Sequence, residues 1–193
     1  MELFTIRQYD QVSIDDIARH AGVAHGLISY HFEGKHGVYS AAVTQISNEF
    51  LDFQCPRPEE TTVSQRIRGF LHRHFEYVRV NPARYRLLIP SAHPDTALQS
   101  ALAAARSAAL AESLRCPTNQ PGLVGASLQG WSGFVESVTG CWMTDPGLQI
   151  DDVVELCVHS LVGSVNVASG FRHGCETVLS VLAQTAEVDT ASE

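Results

Sequence analysis

No stretch of about 18 residues stays apolar without a charge or a helix breaker, so a membrane-spanning helix is not expected. A basic, apolar and small-residue leader is missing too, which points to a soluble, cytoplasmic chain with no membrane partner. Alternation with a period of two is absent over any useful length, and a sheet is therefore improbable. The short signatures of common catalytic sites are lacking as well: there is no GxSxG elbow, phosphate loop or HExxH pair. Catalysis has no anchor, and the chain is not expected to be an enzyme.

The five cysteines, Cys55, Cys116, Cys141, Cys157 and Cys175, are widely spaced and form no CxxC pair. Reduced thiols are expected in a cytoplasmic protein. Metal ligation needs clustered donors. His72 and His74 stand two apart on a helical stretch and so point different ways, as do Cys157 and His159. No metal or cofactor is expected, with a redox or metal sensor as the alternative to plain structural residues.

Cationic charge is scarce: Lys and Arg number 13 against 21 acids, a formal net charge of −8. Residues 1–55 hold Arg7, Arg19 and Lys35 against Glu2, Asp10, Asp15, Asp16, Glu33, Glu49 and Asp52. Arginine gathers instead between 57 and 93, where a solvated helix face is expected, with DNA contact or internal pairing as alternatives. Residues 94–193 are acidic, which reads as solvated surface.

What is present at the front is a start and a stop. Ser13 is a good N-cap, and Asp15 and Asp16 fall in the first turn, where negative charge suits the exposed amides. Ile14, Ile17, Ala18 and Ala21 recur at helical spacing and run into Gly22, which takes the left-handed conformation without steric cost. Ala18 is small enough for a second helix to cross closely, and Val23 and Ile28 are placed to plug the angle between the two. Small residue, glycine turn and apolar plugs together make a helix-turn-helix. The second helix is expected from about Ala24 to Tyr30, with His25, Gly26, Leu27, Ser29 and Tyr30 on its open face. Another helix runs from Lys35 to Phe53, with Val38, Ala42, Ile46, Phe50 and Phe53 on one side. Lys35 thus lies at a helix start, where amides and an ammonium can jointly hold a phosphate.

The run from Leu3 to Val43, with Tyr30-His31-Phe32 and a lysine three residues later, resembles the N-terminal domain of TetR-family transcriptional regulators. The resemblance implies a homodimer that binds a palindromic double-stranded DNA operator, usually as a repressor, and releases it when a small-molecule effector enters the C-terminal domain. It also implies that Ser13, His25, Gly26, Leu27, Ser29, Tyr30, His31 and Lys35 occupy positions that touch DNA. The chain departs from the family pattern in its first helix, for which MELFTIRQY leaves about two turns, too little to cover the motif's apolar side. With the acidic front, this leaves a rival: a helical ligand-binding or dimerisation protein that has lost DNA binding. Weak, salt-sensitive binding is expected from this sequence.

Beyond Cys55, CPRPEETT reads as a linker or turn. Helices are expected at Val63 to Val80, Ala83 to Ile89 (closed by Pro90), Asp95 to about Leu114, Gly122 to Met143 and Ile150 to about Val167, with a last one from Cys175 to Glu187. The fold class is therefore all-α: a helix-turn-helix domain over 1–48, then an antiparallel helical bundle for effector binding and dimerisation over 49–193. Val124 to Met143 and Val153 to Val167 are rich in small residues. They also carry Leu128, Val135, Leu156, Leu161 and Val165, more apolar surface than one face needs. That surplus suits a two-fold four-helix interface, with a core inside one chain as the alternative. The resemblance assigns the same part to the last two long helices. Phe70, His74, Tyr77, Tyr85, Trp131, Phe134 and Trp142 are candidates to line an effector cavity, with His74 and the tyrosine hydroxyls as polar handles; plain core is the alternative. Glu76 and Glu136 are the acids placed to meet a cationic ligand.

Overall fold

Local chemistry starts and stops the helices. This computed structural model describes residues 2–89, 95–117 and 122–170, and no strand occurs among them. A five-residue α1 (Glu2–Ile6) and a 3-10 turn (Tyr9–Gln11) lead into α2 (Ile14–Ala21). The Ser13 hydroxyl oxygen accepts the Asp16 amide at 3.1 Å, and the Asp16 carboxylate accepts the Ser13 amide in return. Gly22 ends α2 at φ 67°, a left-handed conformation that costs a glycine nothing. α3 (His25–Phe32) follows, closed by Glu33 at φ 58°, and α4 (Lys35–Gln54) begins after Gly34 at φ 104°. α4 abuts the end of α3 so closely that a Cβ on Gly37 would stand 1.6 Å from the Phe32 carbonyl oxygen.

Thr62 caps α5 (Val63–Val80) by accepting the Gln65 amide, and Pro82 opens a short α6 (Pro82–Arg86). The Asp95 carboxylate accepts the amides of Ala97 and Leu98 at the head of α7 (Thr96–Leu114). α8 (Gly122–Thr144) and α9 (Ile150–Gly170) complete the bundle. α6 is shorter than the 83–89 helix expected, because Leu87 and Leu88 turn into the core instead. The expected stop at Pro90 and the helix from Cys175 to Glu187, with Cys175 itself, lie outside the described residues. No helix among the described residues is long and apolar enough to cross a membrane.

Two apolar clusters hold these helices together. The distal one joins Leu71, Phe75, Leu114, Trp131, Val154, Leu161 and Val165. The front one joins Phe4, Val12, Ile17, Ile28, Val43, Ile46 and Phe50 to Val78, Tyr85, Leu88 and Leu102. α4 runs unbroken through the expected boundary at 48, so the front domain and the bundle share both a helix and a core.

Burial corrects several expectations. Val135, Leu161 and Val165, expected at a dimer interface, are at most 6% exposed and sit in the core of the chain itself. Leu128 is half-buried against that core, and only Leu156, at 51% exposure, points outward. Val23, expected as a plug, is exposed, and Ile28 alone fills the angle between α2 and α3. Phe53, expected on the buried stripe of α4, is exposed too.

Four of the seven arginines in the arginine-rich segment pair internally, while Arg57, Arg79 and Arg86 stay exposed. Arg66 donates to the carbonyls of Ser113, Glu60 and Thr61, and Arg68 grips the Glu155 carboxylate with two bonds of 2.8 Å. Arg73 is bonded to Glu60, and Arg84 to Glu49 at 2.9 Å. Although burial pushes the Glu60 carboxyl up, the Arg73 guanidinium and the Arg57 amide outweigh it and hold Glu60 below the usual carboxylate range.

Candidate nucleic-acid interface and internal cavity

α3 is held by one side and open on the other. Ile28 is its buried contact, whereas His25, Gly26, Leu27, Ser29, Tyr30 and His31 are all exposed, Tyr30 to 81%. The front end of α3 is braced from α2, since the His25 ring nitrogen Nδ1 lies 2.7 Å from the Asp15 carboxylate. Ser13 is exposed, but its hydroxyl donates to Asp16 at 2.7 Å and so belongs first to the cap. Lys35 differs more from expectation. Its ammonium donates to the Tyr9 carbonyl at 3.1 Å and lies 4.1 Å above the Tyr9 ring, so the lysine first ties the 3-10 turn to the head of α4. An ammonium has three N–H donors, and two are left for a phosphate. The short α1 buries Phe4 against Tyr39 and Tyr9. Beside it an apolar groove of about 420 Å³ stays open between Leu3, Ile17, Leu27 and Phe32.

The second feature lies where α4, α5, α7 and α8 meet. A cavity of about 50 Å³ is lined by Phe50 and Gln54 of α4, Phe70 and His74 of α5, Tyr85, Arg106 of α7, and Trp131 and Glu136 of α8. One polar chain crosses its wall. The Thr139 hydroxyl donates to the Val135 carbonyl at 2.7 Å, so its oxygen accepts the His74 Nε2–H at 2.8 Å. His74 Nδ1 then accepts from the Gln54 amide nitrogen at 3.3 Å. Both ring nitrogens of a neutral imidazole are thereby satisfied. Burial, with the Arg106 charge adding to it, takes the His74 pKa down to about 3. Burial likewise pushes the Tyr85 hydroxyl up to about 12, with Glu136 acting the same way. The deep wall of the cavity is therefore uncharged at neutral pH.

Residues 1–42 match the family described as bacterial regulatory proteins, tetR family. The front of the chain is thus similar to a tetR-family domain. No curated protein matches the chain. Its fold is similar along nearly the whole length to the crystal structure of a tetR-family transcriptional regulator from Streptomyces coelicolor. The TM-score is 0.73 at 22% identity, over 96% of this chain and 83% of that one.

The expected cavity residues separate into two sets. Phe70, His74, Tyr85 and Trp131 line the cavity; Tyr77, Phe134 and Trp142 do not. Tyr77 packs on Phe50 and Phe53, and Trp142 packs on Phe75 and donates to the Leu148 carbonyl, because helical periodicity places them on neighbouring faces. Glu136 reaches the cavity, whereas Glu76 pairs with Arg79 on the surface. Gln54 and Arg106 went unrecognised in the sequence. A glutamine ending one helix and an arginine within an alanine-rich one carry no local mark of facing a shared space.

Proposed function

We propose that this chain is a DNA-binding transcription regulator of the tetR type, cytoplasmic, that acts as a homodimer on a palindromic operator and is released from it by a small molecule, in the manner of a repressor. The observation that carries the reading is α4. Its first half supports the exposed α3, and its second half contributes Ser47, Phe50, Leu51 and Gln54 to the internal cavity. A helix of 20 residues spans about 30 Å. A ligand that displaces its distal end therefore moves the recognition helix. Two recognition helices must meet successive major grooves about 34 Å apart, so a shift of a few ångströms breaks register. The outer surface of α8 and α9, with Leu123, Leu156 and Val167 exposed beside Gly163, is the face offered to a second copy.

Fluorescence anisotropy with DNA from the promoter of the adjacent gene tests this reading. Salt-sensitive binding that saturates at two chains per site is expected, weak because the front carries few cations. Absence of salt-dependent binding would overturn the reading.

A further inference from the structure

Arg106 of α7 and Glu136 of α8 line the same cavity, and no ion pair joins them. Arg106 donates from Nη1 to the Leu88 carbonyl at 3.0 Å, which leaves most of its five donors without a partner among the described residues. Glu136 has no hydrogen-bond or ion-pair partner among the described residues. This is unlike Arg66, Arg68, Arg73 and Arg84, each of which is matched to carbonyls or carboxylates. A cation and an anion on facing helices are thus half-buried and unmatched among the described residues, with aromatic rings beside them. The deeper wall carries neutral polar groups only, as shown above.

The cavity's size is the second observation. About 50 Å³ is less than the roughly 150 Å³ that holds a benzene ring. The cavity shares Leu110 and Ser132 with a cleft of about 530 Å³ between α7 and α8, lined by Ser107, Gln129 and small residues. Leu110 and Ser132 therefore stand between that cleft and the rings.

We propose that the cavity takes an aromatic zwitterion of the amino-acid type, its ring seated toward Phe70 and Trp131, its carboxylate on Arg106 and its ammonium on Glu136. The proposal rests on reading the cavity as the effector site. A simple aromatic acid would satisfy Arg106 while bringing a second negative charge to an unmatched carboxylate, and a simple amine would meet the converse difficulty. A molecule bearing both charges matches both walls and leaves only an apolar ring for the uncharged interior. Each charged group of the ligand would bond to a charged side chain, so the loss of either lowers affinity about tenfold or more.

Isothermal titration of the full chain at pH 7 with L-phenylalanine, phenylacetate and phenethylamine tests it. Phenylalanine is expected to bind at least tenfold more tightly than either analogue. Arg106→Gln should erase its advantage over phenethylamine, and Glu136→Gln its advantage over phenylacetate. Equal binding by a singly charged analogue, or binding by none of the three, overturns the proposal. Anisotropy on the same samples separates the two readings. DNA binding without phenylalanine binding removes the ligand class alone, and phenylalanine binding without DNA binding removes the regulator reading while the zwitterion site stands.

Discussion

His74 shows how burial turns a titratable group into a stability term. Its folded pKa of about 3 lies below the ordinary 6.5, so the unfolded chain takes up a proton first as pH falls. The stability that neutral His74 supports is complete above about 6.5. It declines as pH drops toward 3, by up to about 1.4 kcal/mol per pH unit. Urea midpoints between pH 6.5 and 5 should therefore fall with pH, and His74→Gln, which has an amide but no proton to gain, should flatten that dependence. A slope unchanged by the substitution would show that other groups carry it. Residues with local duties were readable in advance. Ser13 and Gly22 act on amides and angles within their own turn, and they do in the fold what their types imply. Lys35 was only half readable. Its place at the head of α4 is a local matter, but the Tyr9 carbonyl that receives its ammonium lies 26 residues away.

α3 is the element on which the functional reading turns, and its exposed residues divide by reach. Tyr30 and Lys35 stand toward the end of the motif, where a hydroxyl and an ammonium suit phosphate. His25 and Ser29 lie on the face that a groove would meet. Tyr30→Phe and Lys35→Ala should weaken DNA binding alike on all sequences, since phosphate contacts position without specifying. Lys35→Ala should also lower stability by about 1 kcal/mol through the lost Tyr9 contacts. His25→Ala or Ser29→Ala should instead change which operator wins a gel-shift competition. If both pairs behave alike, the division of roles is wrong. α5 carries a different lesson. Its limits, Val63 to Val80, were legible in the sequence, yet the destinations of its arginines were not. Arg66 reaches the end of α7 and Arg68 reaches α9, and no spacing within α5 encodes where those helices pass.

At the scale of the molecule, burial separates residues that the sequence grouped together. Leu156→Arg places a charge on an exposed site, so the chain should still fold, while sedimentation velocity should show a monomer and operator affinity should collapse. Val165→Ala should do the reverse, costing about 2 kcal/mol of stability without changing the assembly, because Val165 is buried in the core of its own chain. A dimer that survives Leu156→Arg would move the interface elsewhere.

The amino-acid sequence alone determined that the chain is helical, where most helices begin and end, and that a glycine turn joins two short ones at the front. Those properties depend on periodicity and on caps, which act across one or two turns. Tertiary structure decided which face of α8 and α9 stays outside, which arginines pair, and which four of the seven candidate aromatic and histidine residues surround a common cavity. Each of those outcomes depends on the crossing of helices far apart in the chain, and one stripe of apolar residues serves equally well as core, as cavity wall or as interface until its neighbours are in place.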